Sequence, residues 1–261
     1  MRFTSATDRN GDRLVSYFWS GETLRSRSVS DVVLTGVLDV PAPPNWLLAN
    51  WKLEVSSRLQ LQPGDVEALP LAPARSRWPD YKRCVQAVTD WSRDNALGDV
   101  IATSDVALMA SRGAKYHHDG EHYGGMAFCN LFLSDDIGQD LLFPCSGHRI
   151  PLARGTVVVF DTCHPHAVIA RSSAGFDEGD FPADRDCTQV FLTWELPVEN
   201  TPIAQALRID LDIEPQIPSA VHEEQVWLNG ARASVCPDSG YWRTNLDLDS
   251  QRHARWIGEI A

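Results

Sequence analysis

Between Gly98 and Pro197 turn residues cut the chain into short β-type runs, and this punctuation limits the fold more than any other feature. The runs are VIATSDVALMAS, MAFCNLFLS, LLFPC, HRIPLA, GTVVVFDT, HAVIAR and TQVFLTWEL. Seven short strands in about 95 residues imply an all-β sandwich or barrel, of which the double-sheet jelly roll is one form. GTVVVF is apolar at both odd and even positions, so a strand there must be buried on both faces.

The flanks read differently. DVVLTGVLDV (31–40) suggests a strand, PAPPN (41–45) breaks it, and WLLANWKLEVSSRL reads as helical. Residues 62–79 hold four prolines and read as an irregular connection. Tyr81, Cys84, Val85, Val88 and Trp91 then recur at helical spacing, with Pro79 and Asp80 suited to the start and Gly98 to the end. Beyond Pro197 the Asn229-Gly230 pair in QVWLNGARA signals a two-residue hairpin. The expected organisation is one domain over 1–261. It divides into a helical or mixed layer (1–98), a β core (99–196) and a C-terminal extension (197–261).

Composition narrows the function. With 35 acidic against 23 basic residues the net charge is −12, which repels a phosphate backbone and argues against nucleic acid as a partner. The N-terminal MRFTSATDRNGDR lacks the apolar core of a signal peptide, and no apolar stretch is long enough to cross a bilayer. Six cysteines without a CxxC pair read as reduced, mostly buried thiols. A cytoplasmic protein acting on a small molecule, without membrane partners, is expected; the oligomeric state is left open.

Six of the eight histidines (117, 118, 122, 148, 164 and 166) fall within fifty residues of the β core. His117 and Asp119 are two apart, which on an extended strand puts both side chains on one face. His164 and His166 share the same spacing beyond GTVVVFDT. Two imidazoles and a carboxylate with open positions on one side form a ligand set suited to non-haem Fe(II). Within this set His164 and His166 are alternatives for the second imidazole.

The order HHD, FCNLFLSDD, IGQDLLFP, GTVVVF and HAV over residues 117 to about 195 resembles the iron(II)- and 2-oxoglutarate-dependent dioxygenases, including their phytanoyl-CoA and prolyl hydroxylase branches. The resemblance implies a mainly β fold with flanking helices around a double-stranded β-helix (jelly-roll, cupin-like) core. It implies Fe(II) held by His117, Asp119 and His166, with His164 as the fallback or a supporting partner of His166. It also implies 2-oxoglutarate as co-substrate and O2 as oxidant, the products being succinate, CO2 and a hydroxylated small molecule such as an amino-acid derivative or natural-product intermediate. An acid at 119, where related halogenases carry a small residue, favours hydroxylation. Asn130 resembles the strand residue that bonds the co-substrate. His118 is expected to be an exposed or structural residue, His148 at the surface, and His122 beside the pocket or in solvent.

One departure from the family pattern stands out. The strand CTQVFLTWEL lacks the arginine that usually clamps the distal carboxylate, so Arg185 is the expected anchor and Arg171 the second choice. Residues 172–186 carry five acids and read as a polar lid or a solvated loop. Two alternatives remain: a cupin-type metal enzyme that uses His117, His164 and His166 without 2-oxoglutarate, and a non-catalytic β-sandwich binding protein.

Overall fold

The computed structural model describes residues 12–244. Residues 1–11, most of the stretch read as lacking a signal-peptide core, and residues 245–261 of the expected C-terminal extension lie outside the described residues.

In chain order, β1 (Leu14–Ser20) and β2 (Thr23–Ser28) form a hairpin and β3 (Val33–Val37) follows. Helix α1 (Asn45–Leu53) runs into a π-helical turn over Glu54–Leu59. Next come β4 (Val66–Leu69), α2 (Ala72–Arg77), α3 (Tyr81–Asp94) and the short α4 (Val100–Thr103). The core strands are β5 (Val106–Ser111), β6 (Ala114–His117), β7 (Met126–Phe132), β8 (Gln139–Phe143), β9 (His148–Leu152), β10 (Thr156–Asp161), β11 (His166–Ala170) and β12 (Gln189–Pro197). Helix α5 (Thr201–Ala206), β13 (Gln225–Leu228), β14 (Ala231–Val235) and β15 (Trp242–Thr244) complete the described chain.

Two antiparallel sheets make the core. One runs β3-β10-β7-β12-β5-β4 and the other β6-β11-β8-β9. Strands β5 to β12 therefore alternate between the sheets, with only β8 and β9 adjacent in one, which is the winding of a double-stranded β-helix. The expected mainly β, jelly-roll architecture is what the chain adopts. Side chains such as Phe132, Phe143, Val158, Phe160 and Phe191 fill the space between the sheets. The larger sheet turns its other face to the helices, burying Leu108, Leu131, Val157 and Trp194 against Trp51 and Val88. Strand β10 lies between these two cores and is buried at every residue, as its unbroken apolar run requires.

Helix α3 forms because Tyr81, Cys84 and Val88 give it one buried stripe, while Lys82, Arg83 and Asp90 stay in water. Asp80 does not cap it through its side chain; the carboxylate pairs with Arg83 instead. The stretch 62–79 is more ordered than its prolines suggest. Pro63 and Pro70 flank β4, Pro73 sits in the first turn of α2 and Pro79 precedes α3, all positions where a missing N–H is harmless. VIATSDVALMAS is not one strand: Val100–Thr103 is helical, and the strand begins only after Ser104 and Asp105.

The chain ends meet in a third sheet, β15-β14-β13-β1-β2, in which Leu14 pairs with Leu228. The Asn229-Gly230 hairpin is present, both residues at positive φ (51° and 84°) as the tight primed turn demands. The hairpin of β1 and β2 was not legible, because the strand that pairs with β1 on its other side, β13, lies some two hundred residues away.

One buried ion pair joins this third sheet to the core. Arg27 on β2 and Asp161 at the end of β10 are both fully buried and meet in a bidentate contact of 2.7 Å on each arm. Arg27 Nε also donates to Gly124 O (2.6 Å) and Nη1 to Ser28 O (3.0 Å). Asp161 further accepts from the backbone N–H of Ser30 (2.8 Å) and Cys163 (2.9 Å). Burial alone would raise the Asp161 carboxyl, but the Arg27 charge and these hydrogen bonds together hold it below the usual carboxylate range.

Removing one partner of such a pair strands the other charge, so Arg27→Met should lower the unfolding free energy by about 3–5 kcal/mol in urea titration. Because folding depresses the Asp161 pKa, the pair's stabilisation is complete above about pH 4 and is lost as pH falls through the folded value. Asp161→Asn should therefore flatten the acid limb of the stability profile; an unchanged limb would refute this assignment.

Candidate metal centre

His117 is the last residue of β6 and His166 the first of β11, and the two pair across the smaller sheet. The register slips between His166 and Val168, a bulge that places one extra β6 residue opposite the partner strand. Bulges re-aim side chains, and here the two imidazole centroids come to lie 4.3 Å apart. The Nε2 atom of His117 is 3.7 Å from Asp119 Oδ1, and that of His166 is 3.6 Å from Asp119 Oδ2. All three ligand atoms fall within 4.8 Å of one another.

Asp119 does not continue the strand, contrary to the extended His-x-Asp geometry expected. Strand β6 ends at His117, and a turn carries Asp119 back to the site. Its N–H donates to Thr162 O (2.8 Å), while its carbonyl accepts from His122 N (3.0 Å) and Tyr123 N (2.9 Å). Gly120 follows because a Cβ there would collide with Cys163 Sγ. Glu224 grips the same turn, accepting from Gly124 N (2.9 Å) and Trp19 N (3.0 Å). Arg27 holds Gly124 O from the other side.

The donor set fits a divalent cation. His117 Nδ1 lies 2.6 Å from Lys115 O and His166 Nδ1 lies 2.9 Å from His164 O. A carbonyl can only accept, so each Nδ1 carries the proton and each Nε2 offers its lone pair to the gap. Cis donors on a metal with bonds of about 2.1 Å stand roughly 3–3.5 Å apart, close to the spacing seen. Burial, with the His117 charge adding to it, depresses His166, and burial raises Asp119. Both shifts disfavour charge in the gap; a cation would reverse the effect on Asp119.

His164 stands outside this trio. It is 1% exposed, its ring packs on Phe143 at 4.7 Å, and neither ring nitrogen has a hydrogen-bond partner among the described residues. Burial pushes its pKa down to about 4. Its contribution to the site is the backbone carbonyl that orients His166. Of the two readings of His118, the structural one fits: it packs on Trp242 (4.9 Å) and its Nδ1 accepts from Gly120 N (3.1 Å). His122 is exposed on the turn, and His148 is exposed with Nδ1 2.8 Å from Ser146 Oγ.

The structure brings neither arginine to the trio. Arg171 follows the far end of β11 and is bound to Asp136 (2.8 Å) and Asp140 (2.7 Å). Arg185 precedes the far end of β12, donating to Asp180 O (2.7 Å) and contacting Cys187 Sγ (3.3 Å). Five or more strand residues separate each from the level of the site, roughly 16 Å or more. Arg185 instead lines a cavity of about 810 Å³ at that opposite end, together with Lys52 and Arg112. The loop 172–186 is not a lid over the trio; it packs along the β6 edge, with Phe181 buried under Gly113 and Glu178 paired to Lys115.

Asn130 does face the space between the sheets. It lies on β7 between Phe128 and Phe132, beside Thr193 of β12. Both are nearly buried, and Asn130 Oδ1 and Thr193 Oγ1 have no partner among the described residues. One level nearer the trio, Phe160, Phe128 and Glu195 sit side by side on β10, β7 and β12. Phe160 packs edge-on against His166 at 4.9 Å. Thr193 and Glu195 were overlooked in the sequence, though QVFLTWEL carries the signal: Gln189, Phe191, Thr193 and Glu195 share one face, and the other is wholly apolar.

No family model matches the sequence, and no curated protein matches it. Solved structures do. A prolyl-4-hydroxylase from Pseudomonas putida shares 15% identity, with 63% of this chain and 92% of that chain covered and a TM-score of 0.39. The viral collagen prolyl hydroxylase from Paramecium Bursaria Chlorella virus-1, as a 2-oxoglutarate complex, shares 10%, covering 62% and 94% with a TM-score of 0.37. EvdO2 from Micromonospora carbonacea var. aurantiaca, complexed with 2-oxoglutarate, shares 14%, covering 51% and 67% with a TM-score of 0.34. At these values the likenesses add nothing to what the strand order already shows.

Purified protein loaded with Fe(II) should hold about one ion per chain, and His117→Ala or Asp119→Ala should abolish that content in elemental analysis. His164→Ala should retain it, since only its backbone serves the site; loss of metal there would restore the three-histidine alternative.

Proposed function

We propose that the protein is an Fe(II)-dependent oxygenase that uses 2-oxoglutarate as co-substrate to hydroxylate a C–H bond of a small molecule. The observation that carries this reading is the convergence of two Nε2 lone pairs and one carboxylate on a single gap. Two histidines and one acid leave several positions of a six-coordinate ion free for non-protein ligands. Bound there, iron(II) supplies the O2 chemistry that couples decarboxylation of the keto acid to oxidation of the substrate.

The chain's own part is positional. His117, Asp119 and His166 would hold the iron, the backbone carbonyls of Lys115 and His164 keeping both rings in one tautomer and one orientation. Phe143 and Phe160 pack on His166 and on each other, and Phe128 packs on Phe160, an aromatic cover that would exclude water from that side. Asn130 and Thr193, the unpartnered polar pair one level below, would hold the co-substrate. Neutral groups take this task because the lysines and arginines on strands β5 to β12 number two, Lys115 and Arg149, and they pair with Glu178 and Asp140 away from the lumen.

With Fe(II), O2 and 2-oxoglutarate the protein should release succinate, and Asp119→Ala should not. Asn130→Ala and Thr193→Val should each weaken 2-oxoglutarate binding about tenfold in calorimetry, an effect of about 1.4 kcal/mol. Arg185→Ala should leave binding within about twofold. A large loss with Arg185→Ala and none with Asn130→Ala would return the anchor to the loop.

A further inference from the structure

The wall of the lumen beside the trio carries an acid that nothing neutralises. Glu195 occupies the inward face of β12, which the alternation with Phe191 and Thr193 fixes. It stands at the same level as Phe128 and Phe160, and Phe160 touches His166. Two strand spacings separate Glu195 from Phe160, about 10 Å between Cα atoms. The side chain has no ion-pair or hydrogen-bond partner among the described residues. Its backbone N–H meets Asp105 O at 3.2 Å, which brings a second acid near. Burial, and then the Asp105 charge, push the Glu195 carboxyl up, the response of a carboxylate without a cation.

An aromatic face adjoins it: the ring of Tyr123 lies edge-on to Phe128 at 5.0 Å, and Phe128 pairs with Glu195 across the sheet. A carboxylate beside aromatic faces, with no lysine or arginine of strands β5 to β12 turned inward, makes a surface suited to a positively charged nitrogen.

We propose that the substrate carries an ammonium, guanidinium or quaternary nitrogen, and that Glu195, flanked by Tyr123 and Phe128, binds this group and sets which C–H faces the metal. The proposal rests on the reading of the trio as an iron site. Glu195 is a specificity-determining residue that contacts substrate; it holds neither metal nor co-substrate. A net charge of −12 draws such a cation toward the protein at long range.

The test uses the whole chain loaded with Mn(II) and 2-oxoglutarate, and n-pentylamine, agmatine and choline as probes beside uncharged n-pentanol. Paramagnetic broadening of the probe proton resonances reports binding near the metal without turnover. The three cations should broaden and pentanol should not. Glu195→Gln should weaken cation binding about tenfold or more while metal content and 2-oxoglutarate binding stay as in the parent, and Glu195→Asp should recover part of the loss. Equal broadening by pentanol, no broadening by any cation, or undiminished broadening in Glu195→Gln would overturn the proposal. Those results, in a protein that still holds Mn(II) and 2-oxoglutarate, leave the oxygenase reading standing. A protein that binds no metal refutes both.

Discussion

The contact between Arg27 and Asp161 is the constraint on which the site depends. One guanidinium, wholly out of water, holds three things at once: the end of β10, the carbonyl of Gly124 in the turn that carries Asp119, and the sheet made from the chain ends. Next to it, Thr162 O receives the Asp119 N–H and the chain turns through His164 into β11 and His166. The carboxylate of the trio and its second imidazole are therefore placed from one point. Burying two charges is expensive, and the geometry offsets it by satisfying every oxygen of Asp161 and every nitrogen of Arg27. The third sheet, remote from the metal gap in sequence, thereby fixes the site.

The fold was legible where local pattern decides it. GTVVVF, buried on both faces, and the Asn229-Gly230 turn could be read from spacing and turn chemistry alone. Spacing singled out His117 and Asp119, and the family resemblance rather than spacing preferred His166 to His164; the structure brings these three together. What could not be read depends on distant partners. Arg27 in TLRSRS looks like any surface arginine, and its burial follows only from β1 pairing with β13. Arg171 and Arg185 looked available for an anion because sequence does not show that Asp136, Asp140 and the Asp180 carbonyl already hold them.

The lumen has an electrostatic character of its own. Its floor offers amide and hydroxyl groups, its wall one free carboxylate, and its aromatic lining little screening. Within such a space charges act over longer distances than in water, so a cation on the metal and a cation on the substrate would share the acids of the site between them. The same lack of lysine and arginine on strands β5 to β12 that assigns the proposed co-substrate to neutral groups leaves Glu195 open. Both features follow from what eight strands place on their inner faces.

The central claim is that His117, Asp119 and His166 form one metal site. Anomalous diffraction from crystals of the protein grown with Mn(II) tests it most directly. The account predicts one dominant peak about 2.0–2.3 Å from the two Nε2 atoms and an Asp119 oxygen. A crystal with no peak there, or with its strongest peak ligated by other residues, would contradict it.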